Sequence, residues 1–266
     1  MSINFNRYRA QLRCESILNS TTPEEWQNAD FQNLILNASQ ASLLTNDLID
    51  DSKDLYYKGI LSFFEALKSI NEGLFSWATV KAYYSIYYFL RSTMATYGVA
   101  LIRQKSLYYL KVSDGQSPVK KTNKKYNSDH SGTINHYIDL FSSDILLSQE
   151  IDSVNSYDWM MGKREQINYR ERTFNEPNHC DFWDYIANQV NIGRFDRLIQ
   201  DYFNDPYLLC FQEEHAIIAI PFKRAILTRN RFLNESITLS LSAGQQKTLI
   251  DILPIKSREL IQLIDL

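Results

Sequence analysis

Residues 74–98, LFSWATVKAYYSIYYFLRSTMATYG, constrain this chain more than any other stretch. They contain no proline, and the only glycine is the last residue, Gly98. Ala78, Ala82 and Ser85 recur at i, i+4 and i+7, so a helix here carries a stripe of small residues that lets a second helix approach closely. Trp77, Tyr84, Tyr87, Tyr88 and Met94 fill the flanks, and Gly98 is placed to end the helix in the left-handed conformation. Lys81, Arg91 and the tyrosines mark it as a buried helix of a water-soluble protein. No stretch reaches the roughly 18 apolar residues that a membrane span needs.

The rest of the chain reads mainly as helix. Only 8 Gly and 6 Pro among 266 residues exclude collagen-like and turn-dense all-β chains, and a hydrophobic fraction of 44% excludes disorder as the main state. Residues 1–22 read as an N-terminal arm or short helix. Thr22-Pro23-Glu24-Glu25 signals a helix start: an N-cap, a proline at the first helical position, then acids in the first turn. That helix takes in Trp26, a second runs over 31–48, Asp50-Asp51-Ser52 marks a break, and 54–71 forms an amphipathic helix. Further helices are expected at 135–149, 156–174 and 181–202, with Pro177 stopping the second and Gly193 as a soft spot in the third. Residues 102–133 read as a long functional or mobile loop. After Asn204-Asp205-Pro206, the runs 207–211 and 215–229, the latter containing Pro221, read as a possible β-hairpin. Helices at 245–253 and after Ser257 follow. The expected organisation is an arm (1–22), a helical bundle (23–203) and a C-terminal extension (204–266).

Cys14, Cys180 and Cys210 show no CxxC spacing, so reduced thiols in a cytoplasm are expected. The N-terminal arginines Arg7, Arg9 and Arg13 are not followed by the apolar region of a secretory signal. The phosphate-binding, serine-hydrolase and zinc-protease motifs GxGxxG, GxxxxGK[ST], GxSxG and HExxH are missing. The four histidines lack compact ligand spacing, so neither a metal nor a cofactor is expected.

Residues 160–179, MMGKREQINYRERTFNEPNH, carry the densest chemistry. On a helix, Met160, Arg164, Ile167 and Glu171 share a face, which puts Arg164 on a partly apolar stripe. An arginine there must be paired or must face a partner, because burying it alone is prohibitive. Arg172 lies near the expected helix end, one turn beyond Asn168 and Tyr169, and His179 follows the proline. An always-charged arginine near a titratable histidine suits phosphodiester cleavage: the histidine as acid or base, the arginine holding phosphate. On RNA the 2′-hydroxyl supplies the nucleophile. The alternative is an arginine paired with Glu165, Glu171 or Glu176 and a histidine that caps the next helix.

The helix WATVKAYYSIYYFLR (77–91) resembles the aromatic-rich helix of HEPN-type proteins, helical nucleotide-binding and ribonuclease domains of prokaryotic toxin–antitoxin and phage-defence systems. The resemblance covers about residues 55–200. Arg172 and His179, with six residues between them, fit the upper limit of that superfamily's Arg-x4–6-His motif, although the residue after the arginine is Thr173, where active members commonly carry Asn, Asp or His. The resemblance implies a HEPN-like bundle and a metal-independent endoribonuclease with Arg172 and His179 as catalytic pair, supported by Arg164, Asn168 and Tyr169. It implies a homodimer that joins one Arg-His pair from each chain, or else an inactive adaptor that binds a partner protein or nucleic acid.

Charge is distributed unevenly. Residues 103–125 hold seven cations against one acid, Asp114, so this segment is +6 and leaves −9 for the remainder of a chain whose net charge is −3. Lys120, Lys121, Lys124 and Lys125, with Tyr108, Tyr109 and Tyr126 nearby and His130 at the loop end, suit a nucleic-acid backbone plus base stacking. A solvated loop is the plainer alternative.

Overall fold

The computed structural model describes residues 7–20, 30–104, 106–126 and 128–265. Helix makes up 65% of it, as the mainly α expectation required. The helix start expected at Thr22-Pro23-Glu24-Glu25, and Trp26 with it, lies outside the described residues. So do Lys105 and the first part of the N-terminal arm. The chain forms two compact units, residues 1–55 with 90–140 and residues 56–89 with 141–266, so the expected boundary at 204 is not where they part.

In the first unit, helix α1 (Arg9–Ile17) starts where the Asp51 carboxylate accepts from the backbone N–H groups of Arg9 and Ala10, at 2.8 and 2.9 Å. Asp51 therefore does not break the chain. Helix α2 (Ala38–Asn71) runs straight through 50–52, and the helix expected over 31–48 is a single 3-10 turn, Phe31–Asn33, followed by α2. Helix α3 (Phe75–Thr96) ends before Gly98 at φ +69°, as its sequence implies. The expected loop instead opens with an antiparallel hairpin, β1 (Val99–Arg103) and β2 (Leu107–Lys111). Val119 then pairs with Tyr109 through two backbone bonds of 2.7 and 2.9 Å. The Gln11 side chain extends the hairpin edge: its amide donates to the Arg103 carbonyl and accepts from the Arg103 N–H at 2.7 Å. Helix α4 (Asp129–Leu140) begins earlier than expected. Its Gly132 is obligatory, since a Cβ would lie 2.7 Å from the Tyr126 carbonyl. The core gathers Cys14, Phe31, Leu44, Leu48, Ile102 and Leu110.

In the second unit, the later part of α2 crosses α3 at Gly59, where a Cβ would meet the Phe89 ring at 2.6 Å. Ala78, Ala82 and Ser85, the small stripe, are fully buried. A two-residue β3 (Glu150–Ile151) and β4 (Val154–Asn155) precede α5 (Ser156–Glu165), whose N-cap Asn155 accepts from the N–H groups of Tyr157 and Asp158. The helix expected over 181–202 is a 3-10 turn followed by α6 (Asp184–Asn191) and α7 (Phe195–Asn204), divided at Gly193 with φ +72°.

The C-terminal hairpin is a misreading. Leu208–Phe211 is a 3-10 turn, and Glu213–Asn234 is a 22-residue helix, α8, with Pro221 inside it. Residues 215–225 are buried on every side of that helix, so the apolar run shows no helical period and imitates strand. Lys223 spans to the end of α7 and donates to the carbonyls of Phe203 (3.0 Å) and Asp205 (2.5 Å). Helices α9 (Ala243–Ile252) and α10 (Arg258–Ile261) begin at the side-chain caps Ser242 and Ser257. None of the helices described is long and apolar enough to cross a membrane.

Candidate functional site

Helix α5 stops at Glu165, nine residues short of expectation. A π-helical turn, Gln166–Arg170, replaces its continuation and closes with an i→i+5 bond from the Glu171 N–H to the Gln166 carbonyl, 3.0 Å. Such turns shift every following side chain around the helix axis. Met160, Arg164 and Ile167 are buried as the stripe argument required.

Arg164 is 7% exposed, yet no carboxylate among the described residues lies within ion-pair distance of it. Its guanidinium donates to the hydroxyls of Tyr84 (3.4 Å) and Tyr169 (3.3 Å), and it sits 5.1–5.8 Å from the ring centres of Tyr83, Tyr84 and Tyr169. Its Nε is buried without a hydrogen-bond partner. Burial opposes the charge, but the hydroxyls of Tyr84, Tyr169 and Tyr83 outweigh it and raise the pKa above the ordinary arginine value. The result is a permanent cation, held by faces and hydroxyls rather than neutralised, beside a 70% exposed Tyr169. Tyrosine faces hold an arginine by cation–π attraction without cancelling its charge. Such a group is suited to receive a phosphate or another oxyanion.

Of the predicted supporting residues, Arg164 and Tyr169 meet. Asn168, half-buried on the same turn, makes no hydrogen bond to either. Glu165 pairs with Arg170 at 3.9 Å, so it does not serve Arg164.

The predicted catalytic pair is divided between environments. His179 lines an open polar cleft of about 430 Å³. Its Nδ1 lies 3.2 Å from Asp184 and 3.3 Å from the Cys180 carbonyl, and its ring rests edge-on against Phe75. The same cleft is acidic: Glu171, Asp181 and Glu213 line it against Lys163, which itself pairs with Glu213 at 2.8 Å. Arg172 is exposed, is not part of the cleft lining and is engaged in no ion pair among the described residues. None of Glu165, Glu171 and Glu176, the carboxylates expected as an alternative, pairs with Arg172 among the described residues. Glu176 turns instead to the start of α3, where it accepts from the Ser76 N–H at 2.7 Å.

The loop cations belong to the first unit. Lys121 pairs with Asp139 and sits 4.3 Å over the Tyr126 ring, and Lys125 lies 4.9 Å over the same ring. Lys120 and Lys124 are exposed, and His130 is half-buried in the first turn of α4. The described cations of this segment are thus partly neutralised, at Lys121, and partly left in solvent, at Lys120 and Lys124. A second basic groove in this unit, lined by Arg7, Arg91 and Arg103, is also occupied from within, since Arg7 binds Glu15 and Arg103 binds Asp129.

No three His, Cys, Asp or Glu side chains among the described residues form a metal-binding group. The three cysteines are unpaired, and burial pushes the Cys14 and Cys210 thiols up to about 12. Comparison with protein-family models, curated proteins and solved structures returns no match.

Sequence reasoning missed Tyr84 as a site residue because it read the tyrosines of α3 only as packing. The signal was present: Trp77, Tyr84 and Tyr88 share one helix face at i, i+7 and i+11.

Proposed function

We propose that this chain is a HEPN-like component of a prokaryotic anti-phage defence or toxin-type system that acts on RNA, and that it takes the RNA phosphate at Arg164. The observation that carries the reading is the buried Arg164 cation with tyrosine partners and no carboxylate. A cation kept charged and unneutralised is costly unless an anion completes it. The aromatic α3 that supplies Tyr83 and Tyr84 is the same helix that resembles the HEPN family. The test is binding of a labelled single-stranded RNA by the purified chain across a salt series, without divalent metal, beside Arg164→Met. Affinity that falls with salt and is lost in the variant supports the reading. Salt-independent binding, or equal binding by the variant, rejects it.

A second reading, metal-independent cleavage by Arg172 and His179, is favoured by one feature. Asp184 engages Nδ1 of His179, as an orienting carboxylate does for a histidine base. In this reading Arg172, engaged in no ion pair among the described residues, serves the site of the partner protomer in a homodimer. An adaptor with the same Arg164 site and no cleavage is the remaining form of the proposal.

A further inference from the structure

Trp77 stands at the start of α3 with 45% of its surface exposed, and Phe174, 38% exposed, meets it edge-on at 5.1 Å and 70°. Large aromatics left half in water at one spot are costly, since burying such a ring contributes a few kcal/mol. The 174–176 segment is nevertheless anchored there: Asn175 N–H donates to Ser76 Oγ, and Glu176 caps the α3 backbone. The pair is therefore a fixed feature and not a loose side chain.

Its position relative to Arg164 follows from helix geometry. Trp77 and Tyr84 lie seven residues apart on one face of α3, two turns or about 10 Å along the axis. Tyr84 is one of the tyrosines that hold Arg164. Lys81, between them on that face, is neutralised by Glu65 at 3.0 Å. Arg164 and, two residues before Phe174, Arg172 are cations with no ion pair among the described residues. An exposed aromatic pair, a fixed cation two turns away and an exposed cation two residues along the chain from Phe174 match a chain that alternates rings with phosphates.

Resting on the RNA reading above, we propose that Trp77 and Phe174 form a base-stacking ledge for single-stranded RNA whose phosphate is held at Arg164. A duplex keeps its bases stacked on one another and leaves the ledge unused, so the site selects unpaired strand. Stacking on such a ring accepts any base, because each has a π-face.

The experiment measures fluorescence anisotropy of the full chain with labelled oligoadenylate, the same strand annealed to oligouridylate, and an abasic ribose-phosphate strand of equal length. Trp77→Ala is expected to weaken oligoadenylate binding by about 5- to 100-fold and leave the abasic strand unchanged. Trp77→Phe should recover most of the loss, and Phe174→Ala should lose part of it. Equal losses on the oligoadenylate and abasic strands would make the ring a prop for residues 171–176 and overturn the ledge. Unchanged affinity in Trp77→Ala, with binding still lost in Arg164→Met, overturns the ledge and leaves the phosphate site standing. If Trp77→Ala keeps its RNA affinity but loses self-association in sedimentation, the pair is a protein interface and the proposal fails. Absence of RNA binding by the unaltered chain removes the RNA reading and the ledge with it.

Discussion

Arg164 and Tyr169 are five residues apart and meet, hydroxyl to guanidinium, at 3.3 Å because a π-turn separates them. On a continuous α-helix a residue five positions on points well away from the first. The turn that ends α5 thus also builds the cation cage. A side chain that serves a ligand rather than the fold leaves a distinctive mark on replacement. Arg164→Met removes a buried, unneutralised charge and fills the space with an apolar chain of similar length. We expect thermal stability to stay level or rise, and RNA affinity to fall by about 10- to 100-fold, the worth of a charge-assisted hydrogen bond. Calorimetry and anisotropy on one preparation check both halves. A large loss of stability would assign Arg164 to the fold.

The proposed cleavage separates from binding. His179→Ala and Arg172→Ala alter partly or fully exposed groups and should leave the melting temperature within a few degrees of the parent. Both should abolish metal-independent cleavage of total RNA while binding through Arg164 persists. Cleavage retained by both variants, read on a denaturing gel, removes the catalytic pair and leaves the adaptor.

Parts of this architecture were legible because their signals are local. The small stripe of α3, its end at Gly98 and the Ser257 cap each rest on residues within one or two turns. The misreadings have long-range causes. Asp51 reads as a breaker, but its carboxylate serves the N–H groups of Arg9 and Ala10, more than forty residues away. Residues 215–225 read as strand since neighbours cover the helix on every side. At the site, the apolar stripe exposed Arg164 as anomalous, but a 3.6-residue period cannot foresee a π-turn. The meeting of Arg164 with Tyr84, eighty residues apart, needed the fold.

Asp144 and Arg224 form an ion pair at 2.6 Å with only 5% and 4% of their side chains exposed. Asp144 also accepts from the Tyr157 hydroxyl at 3.0 Å and from the Leu146 N–H that opens a 3-10 turn. Removing one partner strands the other charge in the interior. Asp144→Ala should therefore cost about 3–5 kcal/mol, read as a lowered urea midpoint. The joint change Asp144→Leu with Arg224→Met should recover much of that loss, since it strands no charge. A single variant that unfolds at the parent midpoint would show that the pair is not closed in solution.

His136 links stability to pH. It is 1% exposed, its ring stacks on Tyr109 at 5.3 Å and tilts against Tyr126 at 4.8 Å, and its Nε2 has no hydrogen-bond partner. Burial, reinforced by the nearby Lys121 charge and only partly offset by Asp139, lowers its pKa from 6.5 to about 4. The folded protein thus keeps His136 neutral where the unfolded chain takes up a proton. Its contribution to stability is complete above about pH 6.5 and is lost as pH falls from there towards 4. The loss amounts to something on the order of 3 kcal/mol. His215, buried against Tyr185 and Tyr202 and likewise lowered by burial, works in the same direction. His136→Phe preserves the ring stack and removes the titration. It should match or exceed the parent in stability at neutral pH and show a shallower fall on acidification, with the remaining slope due to His215 and the carboxylates. Urea denaturation at a series of pH values measures this. An unchanged slope in His136→Phe would mean that His136 takes up its proton in the folded state as readily as in the unfolded one.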